Sequence, residues 1–178
     1  IIVSYQLIFY TRDGKCNKQF RCERKNKPTH YFQLGTVTEN TTCILIGESL
    51  STVSAMYQLN KNEFVGVVTG GAHFICETTK HIYDIYPTHK IIILADNDIT
   101  NNNNTGLIAT AKALAQFSPE LVKVRDKVII KHNFRICRIV PETFNNQNSD
   151  WWDMVAEKGA VFCLDFVHAY LALMKSKR

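Results

Sequence analysis

Hydrophobic and polar positions change period several times along the chain, and each change marks an element. The opening SYQLIFY alternates as a half-buried strand does. Arg12-Asp13-Gly14-Lys15 follows, then KQFRC and HYFQLG, and Asp-Gly between apolar runs is a strong hairpin signal. Residues 1–35 are therefore expected to form a small antiparallel unit. After the polar TVTENTT, the short apolar run CILI reads as a buried strand. It leads through Gly47-Glu48-Ser49 into LSTVSAMYQL at helical spacing. FVGVV is a second strand, ending in Thr69-Gly70-Gly71. A weakly patterned stretch precedes a third, IIILA from Ile91 to Ala95, which Asp96-Asn97-Asp98 closes. ITNNNNTG is a polar loop, and TGLIATAKALAQF has the periodicity and alanine content of a helix. FRICRIV is a fourth strand ending at Pro141. A polar loop then leads to DWWDMVAEKG and a final amphipathic helix near FCLDFVHAYLALM.

Short apolar strands alternating with helices imply βαβ units and an α/β fold. The expected organisation is an N-terminal β hairpin region over 1–35, a mainly parallel sheet flanked by helices over 36–159, and a C-terminal helix over 160–178. CILI and IIILA should share one sheet. In such sheets functional groups collect at the carboxyl ends of the strands. Three strand ends here deliver acids: Glu48 after CILI, Asp96 and Asp98 after IIILA, and Asp150 with Asp153 after FRICRIV and its loop.

Composition narrows the class. With 178 residues, 46% hydrophobic and 21% charged, the chain fits one compact domain and is far from disordered or collagen-like sequences. No apolar run approaches the roughly 20 residues that span a bilayer, so a soluble, cytoplasmic protein with no membrane partner is expected. The opening residues lack an initiator Met, a basic leader and a small-residue cleavage site, and read as a strand from a larger protein. Cys16, Cys22, Cys43, Cys76, Cys137 and Cys163 lie far apart with no C-x-x-C pair, which argues against zinc fingers and a dense disulfide framework. Cys43, Cys76 and Cys137 stand in or beside apolar stretches and are expected to be core thiols, as suits a reducing compartment.

The formal charge of +5 is spread unevenly. Lys15, Lys18, Arg21, Arg24, Lys25 and Lys27 crowd one stretch opposed by Glu23. Two readings stand side by side. The cluster could meet phosphate backbones, with Phe20, Tyr31 and Phe32 stacking bases. It could equally be a solvated hairpin edge whose lysines block sheet pairing.

The acids also carry paired readings. Residues i and i+2 of an extended segment project to the same side, so Asp96 and Asp98 can face one ion. A hard divalent cation takes such oxygen ligands. Asp and Asn are also ordinary turn residues. Glu48 stands at a strand-to-helix turn, where the helix dipole favours an acid as a capping feature. Asp150 could be an N-cap, with Trp151 and Trp152 packing against the sheet.

The order of these motifs resembles the Toprim domain of plasmid and phage primases, a domain also present in topoisomerases and some nucleases. Glu48-Ser49-Leu50-Ser51-Thr52-Val53-Ser54 lies over that family's E-G-x-E-T-A-x-S, and Thr69-Gly70-Gly71-Ala72 over its small-residue stretch. Asp96-Asn97-Asp98 matches the D-x-D strand end. Asn104, Gly106 and the alanines that follow match the start of the next helix, and Asp150-Trp151-Trp152-Asp153 matches a late D-W-N-D. Asp13-Gly14-Lys15 with Phe20 is similar to a D-G-x-K-x-x-F segment that precedes Toprim in plasmid primases. Ser49 stands where the family has Gly, Ser51 where it has a second acid, and Trp152 where it has Asn.

The resemblance implies a Toprim fold and nucleotidyl transfer on single-stranded DNA through magnesium or manganese (Mg2+ or Mn2+). Asp96, Asp98, Asp150 and Asp153 would then be metal ligands, and Glu48 the general base or a further ligand. The implied partners are the DNA template, nucleotides and other domains of a parent replication or conjugation protein, with a helicase or relaxase as candidates. Two alternatives share the resemblance: a nuclease or topoisomerase-like phosphodiester enzyme, and a non-catalytic DNA-docking module.

Overall fold

The computed structural model describes residues 4–10, 16–22, 31–100, 104–117, 120–124, 127–131, 135–144 and 147–174. The chain divides into two units, Ile1–His30 and Tyr31–Arg178. In the first, β1 (Ser4–Tyr10) pairs antiparallel with β2 (Cys16–Cys22), Tyr10 opposite Cys16 and Ser4 opposite Cys22. The Asp13-Gly14 turn expected between them lies outside the described residues.

The second unit runs β3 (Phe32–Leu34), β4 (Cys43–Gly47), α1 (Leu50–Leu59), β5 (Phe64–Val68), α2 (Ala72–Ile85), β6 (Lys90–Leu94) and α3 (Thr105–Ala115). It continues with β7 (Glu120–Val124), β8 (Lys127–Lys131), β9 (Ile136–Ile139), α4 (Trp151–Lys158) and α5 (Ala160–Leu173). Five strands form one sheet in the order β3-β5-β4-β6-β9. β5, β4, β6 and β9 are parallel, and β3 closes one edge antiparallel to β5. CILI and IIILA are neighbours, Ile44 opposite Ile91 and Ile46 opposite Ile93. The expected α/β architecture, a mainly parallel sheet flanked by helices, is the one observed.

Three local features differ from the expectation. HYFQLG is expected in the N-terminal antiparallel unit, but Phe32–Leu34 pairs with β5, so this strand belongs to the main sheet. The weakly patterned stretch after Gly71 is α2. Its buried residues Ile75, Thr78, Thr79 and Ile82 have helical spacing, but two of the four are threonines, which blurs the apolar stripe. ELVKV and KVIIK form a further antiparallel pair, β7 with β8, not among the strands expected.

The strands alternate their side chains between two cores, as the pleat requires. Cys43, Leu45, Ile92 and Leu94 join Phe64 and Val68 under α1, α4 and α5, with Val53, Met56, Trp151, Met154, Cys163, Val167 and Leu171. Ile44, Ile46, Ile91 and Ile93 join Val67 on the opposite face under α2 and α3, with Ile75, Ile82 and Ala113. Each fully buried Ile, Leu or Val stabilises the sheet by about 1.5–3 kcal/mol relative to exposure. The segment after 160 is thus part of the first helical layer.

Val53 shows how tightly α1 is seated. A β-carbon on Gly47 would lie 2.8 Å from its Cγ2, and one on Gly66 2.7 Å from its Cγ1. Two glycines on neighbouring strands therefore let α1 settle on β4 and β5, which places its N-terminus beside the end of β4.

Cys43 and Cys163 are buried, while Cys76 and Cys137 are half-buried; all four are free thiols. Burial pushes the Cys137 thiol up to about 12 and Cys43 well above its usual value, which suits inert packing rather than nucleophilic chemistry. Among the described residues, no helix is long and apolar enough to cross a membrane.

Candidate functional site

The site is assembled where the parallel strands end. Leaving β4, the chain passes through Glu48 to Ser49, which caps α1: its hydroxyl accepts a hydrogen bond from the Thr52 amide at 3.2 Å. The cap is therefore Ser49, and Glu48 stands one residue outside it. The Glu48 backbone is fixed from the next strand. Its carbonyl accepts from the Gly70 amide at 2.9 Å, and the Gly47 carbonyl accepts from the Thr69 amide at 2.9 Å. Gly70 has φ of 77°, a left-handed turn that glycine makes without strain. The Thr69-Gly70-Gly71 stretch thus holds Glu48 in place from the β5 side.

Asp96 follows β6 directly. The buried Thr52 donates to its Oδ1 at 2.8 Å, joining the first turn of α1 to the end of β6. One residue on, Asn97 and Ser149 exchange backbone hydrogen bonds of 2.9 and 3.1 Å, and Thr100 donates through its amide and hydroxyl to Asn148. These links bring the segment before α4 alongside the Asp96-Asn97-Asp98 loop, and with it Asp150.

Asp150 caps α4. Its Oδ1 accepts from the Asp153 amide at 3.0 Å, and Asp153 Oδ2 accepts from the Asp150 amide at 3.0 Å, a reciprocal capping box. The helix-start reading of these two acids is therefore realised. Asp150 also faces the site, because its Oδ2 accepts from the Ser51 hydroxyl at 3.3 Å. Ser49 and Ser51 hydroxyls lie 2.9 Å apart.

The electrostatics converge on Asp96, whose carboxyl is pushed up to about 7. Burial is the largest cause. The Thr52 hydrogen bond opposes it, and the negative fields of Asp150, Glu48 and Asp98 add to the rise. Acids from three strand ends thus act on one carboxyl group.

Asn104 locks the Asp96 loop to α3. Its Oδ1 accepts from the Asp98 amide at 3.2 Å and from the Leu107 amide at 3.3 Å, and its Nδ2 donates to Asn97 Oδ1 at 3.0 Å. Its φ of 32° is left-handed, which Asn tolerates better than most side chains. Gly106 permits the close approach: a β-carbon there would meet the Asp96 carbonyl at 3.2 Å. Thr52, Ser51 and Asn104 stand inside the motifs that carry the resemblance, Ser51 in place of a second acid, but nothing local signals that their side chains reach Asp96, Asp150 and the Asp98 backbone. Asn104→Ala should lower stability by about 1–3 kcal/mol, through loss of the cap and the cost of a left-handed alanine. Urea unfolding checks this, and Asn104→Gly should recover only the backbone part.

The adjacent tryptophans do not both pack inward as expected. Trp151 is fully buried, whereas Trp152 is 58% exposed. Of the basic cluster, Lys18 lies opposite Ile8 and Arg21 opposite Tyr5 in the β1–β2 pairing. Lys15, Arg24, Lys25 and Lys27 lie outside the described residues.

Among the described residues, no group of three or more His, Cys, Asp or Glu side chains is arranged to hold a metal ion. The chemistry of the acids nevertheless fits a hard divalent cation. Magnesium is commonly held by one or two carboxylates, with waters and substrate phosphates completing its shell. A cation would also offset the repulsion that adds to burial in raising Asp96. No family model, curated protein or solved structure matches this chain.

Proposed function

We propose that the second unit is a Toprim-type catalytic domain that carries out divalent-cation-dependent nucleotidyl transfer on single-stranded DNA, as primases do. The observation that carries this reading is the combined action of Glu48, Asp98 and Asp150 on Asp96 at the carboxyl edge of a parallel sheet. The motif order supports it: a glutamate after one strand, a small-residue turn after its neighbour, Asp-x-Asp after the next, and an Asn-x-Gly helix start behind it.

Asp96 and Asp98 are the residues that would hold Mg2+ or Mn2+, with Asp150 beside them. A bound cation would neutralise phosphate charge and orient the attacking hydroxyl. Glu48 takes the proton from that hydroxyl as general base. Thr52 holds Asp96 in one rotamer, Ser51 holds Asp150, and Asn104 keeps the Asp98 backbone in register.

The test is nucleotide incorporation on a single-stranded template with magnesium and with manganese. Glu48→Gln should lose roughly 10²–10⁴-fold in rate, because an amide cannot accept the proton. Asp98→Asn should fall similarly, and both variants should keep the wild-type circular dichroism. Cleavage of DNA without synthesis would move the reading to a nuclease. DNA binding that is indifferent to cations and to both substitutions would make the unit a docking module.

A further inference from the structure

Trp151 and Trp152 open α4 and go opposite ways. Trp151 lies within the core, its ring 5.9 Å from that of Phe166. Successive helical residues point about 100° apart, so a core anchor at 151 turns its neighbour outward. What makes the exposed indole informative is its setting. Asp153 follows it directly and Asp150 stands two residues before it; Asp150 accepts from Ser51 at the start of α1, and Ser149 is paired with Asn97. Two further large apolar side chains are exposed on the segments joined there: Leu50, two residues past Glu48, and Ile99, next to Asp98. Exposed apolar side chains thus stand on three separate segments that these hydrogen bonds join at the acidic edge.

The centre of a protein–protein interface is usually depleted of charge, which does not suit an indole in a helix first turn capped by two aspartates. A nucleobase suits it better. Stacking on an indole requires no charge and tolerates any base, while phosphates approach carboxylates only with a cation between them. We infer that Trp152 is a stacking platform for a base of single-stranded DNA beside the carboxylate edge. This rests on the phosphoryl-transfer reading above and adds the element of the substrate that is gripped.

The chain has two tryptophans, one buried and one exposed, so acrylamide quenching reports mainly on Trp152. Oligothymidylate added to the full chain should quench emission and shield Trp152 from acrylamide. An abasic strand of equal length should do neither. Trp152→Ala should weaken oligothymidylate binding about 10-fold and abasic binding hardly at all, while Trp152→Phe should stay within about 3-fold of wild type. Unchanged affinity in Trp152→Ala, or equal loss on both strands, would overturn the inference. So would DNA-independent acrylamide shielding that grows with protein concentration, which would make the face a contact between copies. Quenching without nucleotide incorporation would sink the catalytic reading and leave the platform standing; incorporation without quenching would sink the platform alone.

Discussion

Asp96→Asn should make the cation-free protein more heat-stable at pH 8 and, on the catalytic reading proposed above, should abolish nucleotide incorporation. The carboxyl is pushed from an ordinary 3.8 to about 7 in the folded protein, first by burial and then by its acidic neighbours. The folded state therefore holds the proton more tightly than the unfolded chain. The stability this contributes is fully present below about pH 4 and is lost as pH rises through 7. At pH 8 the folded protein carries a desolvated charge among like charges, a disadvantage of up to about 4 kcal/mol. Asparagine carries no charge, and its Oδ1 can still accept from Thr52. The variant should melt roughly 5–10 °C above wild type at pH 8, with the gap closing near pH 4.5. Magnesium at pH 8 should raise the wild-type Tm more than that of the variant. If Asp96 holds the proposed cation, incorporation should fall roughly 10³-fold or more. A variant that melts below wild type at pH 8, or a gap that ignores pH, would show that Asp96 is not a strained acid.

The largest loss of stability is expected from Trp151→Ala. Its side chain is fully buried among α1, α4 and α5, and removing it should cost about 3–5 kcal/mol through lost burial and the cavity left behind. The residue directly follows the Asp150 cap, so the capping box and the Ser51–Asp150 bond should loosen as well. Trp151→Phe should be far milder. The indole Nε1 is buried without a hydrogen-bond partner, so exchanging it for phenyl removes an unsatisfied donor and partly offsets the smaller volume. Urea midpoints for the two variants decide the matter. A loss for Trp151→Phe as large as for Trp151→Ala would overturn this expectation.

These two tryptophans also mark where sequence reading reaches its limit. A helix starting at Asp150 is legible from Asp-x-x-Asp before an apolar stretch, but which indole enters the core is set by the rotation of α4 against α1 and α5. The same holds for β3. FQL is too short to show its partner, and its place beside β5 depends on a pairing across more than thirty residues. Thr78 and Thr79 obscure α2, because they are buried in a helical stripe that a hydrophobicity pattern does not register.

The βαβ rhythm can be read from the chain alone, as can an acid directly after two strands and another beyond the loop that follows a third. Both are local properties, written in periods of 2 and 3.6 and in the residues that end a strand. Only the tertiary structure decided that β4 lies beside β6, that α4 returns to the same edge, and that Thr52, Ser51 and Asn104 hold the acids there. Whether a carboxylate is raised to about 7 depends on burial and on charges dozens of residues away in the chain. Those quantities arise from distance in space, which no local pattern encodes.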